Sequence, residues 1–438
     1  MSKRRKMKRR QFIGRTAAAG IAMPYLIPSG VLAAPGRPGA NDRIGIAGIG
    51  VGRRGGELIS GFHRHPKTQI VAIADVNLAH AGKVATHYKA DPYKDYRKVL
   101  ERKDVDAIVT ATPDHWRALI CIHACQASKD IYAEKPMTLT IREGRLMVEA
   151  ARKYKRVFQT GSQQRSISAN RLGCELIRNG RIGKVKKVIA ANYPSPWEYG
   201  MAAQPIPEKL DWDMWCGPVR PMNYNGSLRS PRGNPGWISF TPFSGGEMTG
   251  WGAHGFDQIQ WALGMDESGP TEIWTEGEKL NPPTYTVPES RGRGDEICRN
   301  PKVFFKYPGD ITMELNNGPG GGGIFIGEKG TLTINRGSCK SDPPELASEP
   351  LKDPEIKLYK SISHTQNWIE CMESREKCVA DVETGHRSST VCHLGNIARW
   401  TGRKLRWDSV KEVFIGDEDA NKYLDRERRR PYVLPDKI

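Results

Sequence analysis

No run of 18 apolar residues occurs in the 438 residues of this chain, so no membrane-spanning helix is expected. Its nine cysteines are odd in number and include no C-x-x-C pair. Cys121 and Cys125 would share one helix face, a poor geometry for a bridge. No disulfide framework follows, and the cysteines read mostly as small core residues. Acidic residues are absent from the first 40 positions. There Lys3, Arg4, Arg5, Lys6, Lys8, Arg9, Arg10, Arg15 and Arg37 supply half of the formal +18 charge. Much of the apparent basicity therefore belongs to a leader. With no nucleic-acid module in the remainder, the residual excess reads as a solvated basic surface. No internal repeat is present. The hydrophobic share of 38% and charged share of 26% are globular values, and the length suits two domains.

The leader itself carries a pattern. Arg9-Arg10-Gln11-Phe12-Ile13-Gly14 is a twin-arginine sequence, Thr16 to Ile27 is modestly apolar, and Ala33-Ala34 offers a cleavage point. This predicts a partner in the twin-arginine export machinery and a periplasmic or otherwise exported protein. That route carries proteins already folded, so any cofactor would have to travel tightly held.

Arg43 to Asp75 is the most informative stretch. Arg43-Ile44-Gly45-Ile46-Ala47-Gly48-Ile49 reads as a buried parallel strand, and Gly50-Val51-Gly52-Arg53-Arg54-Gly55 fits G-x-G-x-x-G. Asp75 closes the next apolar run, Ile70 to Ala74, about 20 residues beyond the last glycine. Glycines allow backbone to approach a pyrophosphate, the helix N-terminus offers free N–H groups, and the acid accepts from ribose hydroxyls. Gly48, Gly50 and Arg53 could fill the three slots instead. Asp75 favours NAD, while Arg53 and Arg54 keep NADP open. The alternative is a glycine turn without a ligand.

Alternating strand and helix signals continue to about Ser166: strands at Val105–Ala111, Asp130–Ala133 and Val157–Thr160, a helix from His115 to Ala127, and a capping box at Thr140–Glu143. The fold class that follows is α/β, a doubly wound parallel sheet. Residues 190–245 are rich in Pro, Gly, Trp and Tyr. Residues 270–335 hold short alternating runs such as Ile311–Leu315, which predict antiparallel strands. Gly320 to Gly323 lie between strands with no helix after them, and a hairpin turn is expected. Residues 364–400 read as helical. The expected division is a leader and linker over 1–40, a nucleotide-binding domain over 41–166, a substrate and oligomerisation domain over 167–415, and a charged tail over 416–438.

Ligands of a doubly wound sheet sit at the carboxyl ends of its strands. Thr110-Ala111-Thr112-Pro113-Asp114-His115, Glu134-Lys135-Pro136-Met137 and Gly161-Ser162-Gln163-Gln164-Arg165 end such strands. With the glycine turn, Leu210–Pro218, Gly245-Gly246-Glu247-Met248-Thr249-Gly250-Trp251-Gly252-Ala253-His254-Gly255-Phe256-Asp257 and Asp381–Ser388, the chain beyond residue 41 resembles the Gfo/Idh/MocA family of oxidoreductases. The resemblance implies a Rossmann domain followed by an α+β domain with a large, mostly antiparallel open sheet. It also implies a homo-oligomer and NAD(P) chemistry on sugars, glycosides or cyclitols. By the same resemblance Lys135 lies near the nicotinamide and the reacting hydroxyl, His254 matches the catalytic histidine and Asp257 the acid after it. Thr112, Pro113, His115 and Glu134 join Gly48, Gly50, Val51, Gly52, Arg53, Gly55, Asp75 and Lys135 as expected cofactor contacts. One departure stands out: many members carry aspartate four residues before the histidine, where this chain has Gly250.

The chemistry suits these residue types. Oxidising a secondary alcohol needs a base for its proton, which histidine or a lysine of lowered pKa supplies. Trp197, Tyr199, Trp212, Trp215, Trp237 and Trp251 could stack on sugar rings, though buried tryptophan is usually core, and at most two are expected to touch substrate. His63 and His65 lack a third ligand, and no metal is expected. Three readings remain: a sugar or cyclitol dehydrogenase, a redox-assisted glycosidase or lyase, and a non-catalytic nucleotide-binding protein.

Overall fold

The structure, a computed structural model, describes Gly39 and residues 42–438 except 234, 288–290 and 352–353. The twin-arginine pattern and its cleavage point lie outside the described residues.

Six strands form the first sheet: β1 (Ile44–Ile49), β2 (Thr68–Ala74), β3 (Asp91–Tyr93), β4 (Ala107–Thr110), β5 (Asp130–Ala133) and β6 (Phe158–Thr160). All pair in parallel, in the order β3-β2-β1-β4-β5-β6. Helices cover both faces, so β4 and β5 are buried at every residue, and their apolar residues, Ala107 to Val109 and Ile131 to Ala133, are contiguous rather than alternating. The strand order reverses between β1 and β4, which opens a crevice at their carboxyl ends. Local signals set the helices between the strands. Asn77 caps Leu78–Tyr88, and Thr140 Oγ1 accepts from Glu143 N at the start of Ile141–Lys153. The expected capping box is only half made, because Glu143 Oε2 takes the N–H of Leu139 instead.

Beyond β6 the strands are β7 (Val185–Ala191), β8 (Trp197–Tyr199), β9 (Phe240–Thr241), β10 (Glu272–Glu276), β11 (Thr284–Tyr285), β12 (Lys302–Tyr307), β13 (Ile311–Asn316), β14 (Gly323–Gly327), β15 (Thr331–Asn335), β16 (Ser338–Asp342), β17 (Leu405–Asp408) and β18 (Val413–Phe414). Nine of them make one open sheet, β16-β15-β14-β7-β13-β12-β10-β17-β18, antiparallel except where β7 meets β13. Burial alternates along β12, β13 and β15. Helices Ser168–Arg178, Gly252–Leu263 and Val382–Thr401 contribute Leu176, Phe256, Ile259, Leu394 and Ile397 to the core that these strands share. The fold is α/β, a Rossmann sheet joined to an α+β half with a large, mostly antiparallel sheet. Three short parallel strands, β11-β8-β9, form a third sheet.

Two sequence expectations change. The glycine run is no hairpin: β13 and β14 flank β7 on opposite sides, so residues 317–322 cross over the end of β7. A side chain at Gly318 would meet Ile189 O at 2.4 Å and one at Gly322 would meet Ile334 O at 2.2 Å, which accounts for glycine there. The helical stretch after residue 364 also divides. His364–Ser374 returns to the first sheet, with Trp368 edge-on to Phe62 and Tyr132, while Val382–Thr401 serves the second.

Candidate active site

Glycines set the tight turn after β1. Gly50 has φ +73°, and a Cβ there would come within 2.6 Å of Thr112 Cγ2. A Cβ on Gly55 would sit 2.2 Å from Gly50 O, so the helix can lie close on the strand only with glycine. Nothing lies within 4 Å of the Gly52 Cβ position. The Arg53–His63 helix begins behind Gly52 with no side-chain cap and no acid in its first turn, leaving its first N–H groups for a ligand. The glycine slots are thus Gly50, Gly52 and Gly55. Gly48 lies inside β1, where a Cβ would press on Ile59 at 2.9 Å; its smallness serves helix packing. Val51 contributes its backbone and buries its side chain in the core. Val51 N donates to Asp75 Oδ2 at 3.0 Å, and His80 Nε2 donates to Val51 O at 2.8 Å. Asp75 also accepts from Asn77 N at 2.9 Å, and burial raises its pKa. The carboxylate therefore holds the turn in shape while it faces the crevice.

This turn is one end of a cavity of about 830 Å³ whose wall includes Gly50, Gly52, Arg53, Asp75, Thr112, Pro113, Glu134, Lys135 and His254. Glu134, at the end of β5, accepts from Arg54 Nε at 2.7 Å and from Gln163 Nε2 at 2.9 Å. Lys135 Nζ donates to Gly250 O at 2.6 Å. Burial pulls its pKa down to about 8, against the opposing charge of Glu134. His254 is only 5% exposed, and its Nδ1 is buried without a hydrogen-bond partner among the described residues. Burial, followed by the charges of Lys135, Arg336, Arg232 and Arg54, holds its pKa well below the ordinary histidine value. At neutral pH this imidazole is uncharged.

Gly250 has a steric explanation. A Cβ there would fall 2.7 Å from Glu247 Oε2, 2.7 Å from Ile238 Cδ1 and 3.2 Å from Arg232 NH2. Glu247 is held by Arg232 through two bonds, Nε to Oε1 at 2.7 Å and NH2 to Oε2 at 2.9 Å. An ion pair fills the space that an aspartate at 250 would need.

Two expected site residues lie elsewhere. His115 is not on the cavity wall; it is buried between Trp215 and Phe243, with Nε2 bonded to Trp215 O at 2.9 Å. Burial lowers its pKa to about 3. Its neighbour Trp116 takes the wall position. Asp257 is fully buried one turn behind His254, where Arg165 Nε reaches both its oxygens at 2.9 and 3.0 Å and Ser388 Oγ donates at 2.9 Å. It braces the helix and does not face the cavity. Of the aromatics, Trp212, Trp215, Trp237 and Trp251 line the cavity, whereas Trp197 and Tyr199 pack with Phe240 in the third sheet. Trp212 and Trp215 stack at 4.5 Å. His65 is engaged by Gln366 at 2.6 Å. Sequence reasoning missed His80, Arg232 and Arg336, which no local motif marks.

Residues 43–162 match the Gfo/Idh/MocA family description "Oxidoreductase family, NAD-binding Rossmann fold", and residues 184–434 match "Oxidoreductase family, C-terminal alpha/beta domain". Inositol 2-dehydrogenase of Rubrobacter xylanophilus is 28% identical over 147 residues, 33% of this chain and 42% of that protein. A glycosyl hydrolase family 109 protein of Stenotrophomonas maltophilia is 30% identical over 149 residues, 31% of each. The matched stretch is less than half of either relative. The WlbA dehydrogenase of Chromobactrium violaceum, solved with NADH and UDP-GlcNAcA, shares the fold at TM-score 0.59 and 18% identity, over 85% of this chain and 98% of that one. With both halves matched, this chain belongs to the Gfo/Idh/MocA oxidoreductase family and carries its NAD-binding Rossmann domain.

Proposed function

We propose that the protein is an NAD-dependent dehydrogenase acting on a ring CH–OH group of a sugar, glycoside or cyclitol. The observation that carries this is one continuous cavity. It runs from an anion-ready glycine turn to a buried lysine of lowered pKa, and its remaining wall is rich in tryptophan. The residues fit the cofactor. Gly50, Gly52 and the first turn of the Arg53–His63 helix would hold its pyrophosphate, and Asp75 its adenosine ribose. When bound, the nicotinamide supplies the hydride acceptor or donor. Lys135 takes the hydroxyl proton on oxidation and returns it on reduction. Its neutral form is accessible because burial has lowered its pKa to about 8. His254, uncharged, offers a donor or acceptor to the same oxygen through the nitrogen that faces the cavity. The names of the relatives, an inositol dehydrogenase and a dehydrogenase with a nucleotide-linked sugar acid, support this substrate range.

The carboxylate at Asp75 supports NAD over NADP, with exposed Arg53 as the group that would meet a 2′-phosphate. Nicotinamide absorbance, followed with each cofactor against a panel of sugars, cyclitols and glycosides, tests the reading. A keto product with net reduction supports it, and no reduction with any substrate sinks it. A redox-assisted glycosidase is the second reading, favoured by the family 109 relative; it would release an aglycone without net nicotinamide reduction. Export through the twin-arginine route is part of the proposal. A reporter fused to residues 1–40 should leave the cytoplasm, and Arg9→Lys with Arg10→Lys should stop it. The less buried positions that alternate along β12, β13 and β15 support a homo-oligomer, which light scattering would weigh.

A further inference from the structure

Positive charge gathers at the Lys135 end of the cavity. Lys135, Arg232 and Arg336 all depress the pKa of His254, and all three lie on the wall. The nearby acids are already engaged. Glu247 has both oxygens on Arg232. Glu134 is held by Arg54 and Gln163. Asp114 is fully buried against Ser244 and Arg117. Arg336 has no side-chain hydrogen bond or ion pair among the described residues. It is carried at the tip of the β15–β16 hairpin, and that tip is fixed. Arg336 N bonds Asn335 Oδ1 at 2.8 Å, Gly337 turns at φ +75°, and Gly337 N bonds Asn170 Oδ1 at 2.8 Å. Arg232 spends Nε and NH2 on Glu247, and its NH1 has no partner among the described residues. Trp251, 39% exposed, stacks beside it at 5.8 Å. The buried His254 Nδ1 adds an unpartnered polar atom at the same end.

Two arginines with unused donors on one cavity wall call for an oxyanion, whose oxygens a guanidinium fork matches in pairs. Resting on the dehydrogenase reading, we propose that the substrate carries an oxyanion, as a sugar acid or sugar phosphate does, and that Arg336 and Arg232 recognise it. The ion pair with Glu247 then has a purpose. It holds Arg232 on the cavity wall with NH1 still free to reach a ligand.

Direct binding separates this from turnover. The NAD-loaded full chain would be titrated calorimetrically with methyl β-D-glucuronide, glucose 6-phosphate and methyl β-D-glucoside. The expected result is that at least one anionic ligand binds about tenfold or more tighter than the neutral one, with the margin shrinking as salt is raised. The two anionic arms tell carboxylate from phosphate. Arg336 is exposed at a hairpin tip, so Arg336→Gln should fold. It should erase the preference and leave neutral-ligand affinity within about twofold, while Arg336→Lys keeps part of the preference. Equal affinity for charged and neutral ligands overturns the proposal. So does an equal loss on both in Arg336→Gln, or binding of none of them. An anionic preference without any absorbance change would instead defeat the dehydrogenase reading and leave oxyanion recognition standing.

Discussion

Lys135 is the residue on which the proposed chemistry turns. With its pKa lowered to about 8 by burial, it is protonated below that value and cannot accept the hydroxyl proton. Oxidation should therefore rise about tenfold per pH unit up to about pH 8 and level off above. Carbonyl reduction needs the protonated form and should fall above the same point. His254, held neutral, should add no ionisation at neutral pH. Lys135→Met should lower kcat/KM by about 10²- to 10⁴-fold in both directions, while NAD still protects the variant against heat. Full turnover in that variant would remove Lys135 from the chemistry. Gly250 gives a second residue-scale prediction. Placing at 250 the aspartate that the family resemblance implies, with Gly250→Asp, should not improve activity, because the new Cβ collides with Glu247 and Ile238. A stability loss of about 1–3 kcal/mol, the range for overpacking, should be seen in urea unfolding. The glycine turn, Asp75, the Glu134-Lys135 pair and His254 were legible in the sequence because each sits in a contiguous pattern. Arg232 and Arg336 were not. They reach the cavity from a long irregular loop and from the far edge of the second sheet, and only tertiary folding brings them to His254.

Among the elements, the C-terminal segment does more than cover surface. Arg426 Nε and Arg428 NH2 both reach Glu143 Oε1, at 3.1 and 2.9 Å, on the first turn of Ile141–Lys153. Arg426 NH2 also bonds His115 O at 2.9 Å, and Arg429 reaches Gly217 O at 2.6 Å and Val219 O at 2.9 Å. Tyr432 packs edge-on to Trp116 at 5.1 Å. The tail thus ties the helix that carries Trp116 to the Trp212–Cys216 segment, both of which supply cavity wall. Glu143 is almost fully buried, so Glu143→Ala would strip Arg426 of its counter-ion and leave Arg428 only the half-exposed Asp425, at a cost of about 3–5 kcal/mol. Limited proteolysis should then cut within residues 425–438, and KM for substrate should rise more than KM for NAD. Resistance equal to the parent's would show that the tail is held by Arg429 and Tyr432 alone. The helices and strands of the first sheet were readable from apolar runs, caps and glycine turns, which are local. The return of His364–Ser374 to that sheet and the crossing of 317–322 over β7 are pairings across long sequence separations, and periodicity carries no information about them.

Across the whole molecule, Arg165 joins the two halves. It stands on the turn Gln163–Ser166 just after β6, 2% exposed at its side chain. It grips Asp257 on the Gly252–Leu263 helix and Asp266 beyond it, NH2 to Oδ1 at 2.7 Å, with its guanidinium over Trp261 at 4.9 Å. That helix carries His254, and the turn carries Gln163, which binds Glu134. The ion pair therefore sets the distance between the nucleotide-binding half and the histidine of the other. Removing one partner of a buried pair leaves a charge without solvent or counter-ion, so Arg165→Met should cost about 3–5 kcal/mol. Replacing both, as Arg165→Met with Asp257→Leu, removes the stranded charge and should recover most of that stability, because the two sites share one interaction. Activity should not follow. The apolar pair lacks the directional bonds that orient the helix, and kcat should stay depressed while the denaturation midpoint returns. If kcat returned together with stability, the pair would be needed only for folding. If neither returned, Asp257 would have a role beyond its partnership with Arg165, closer to the catalytic one that the family resemblance implies.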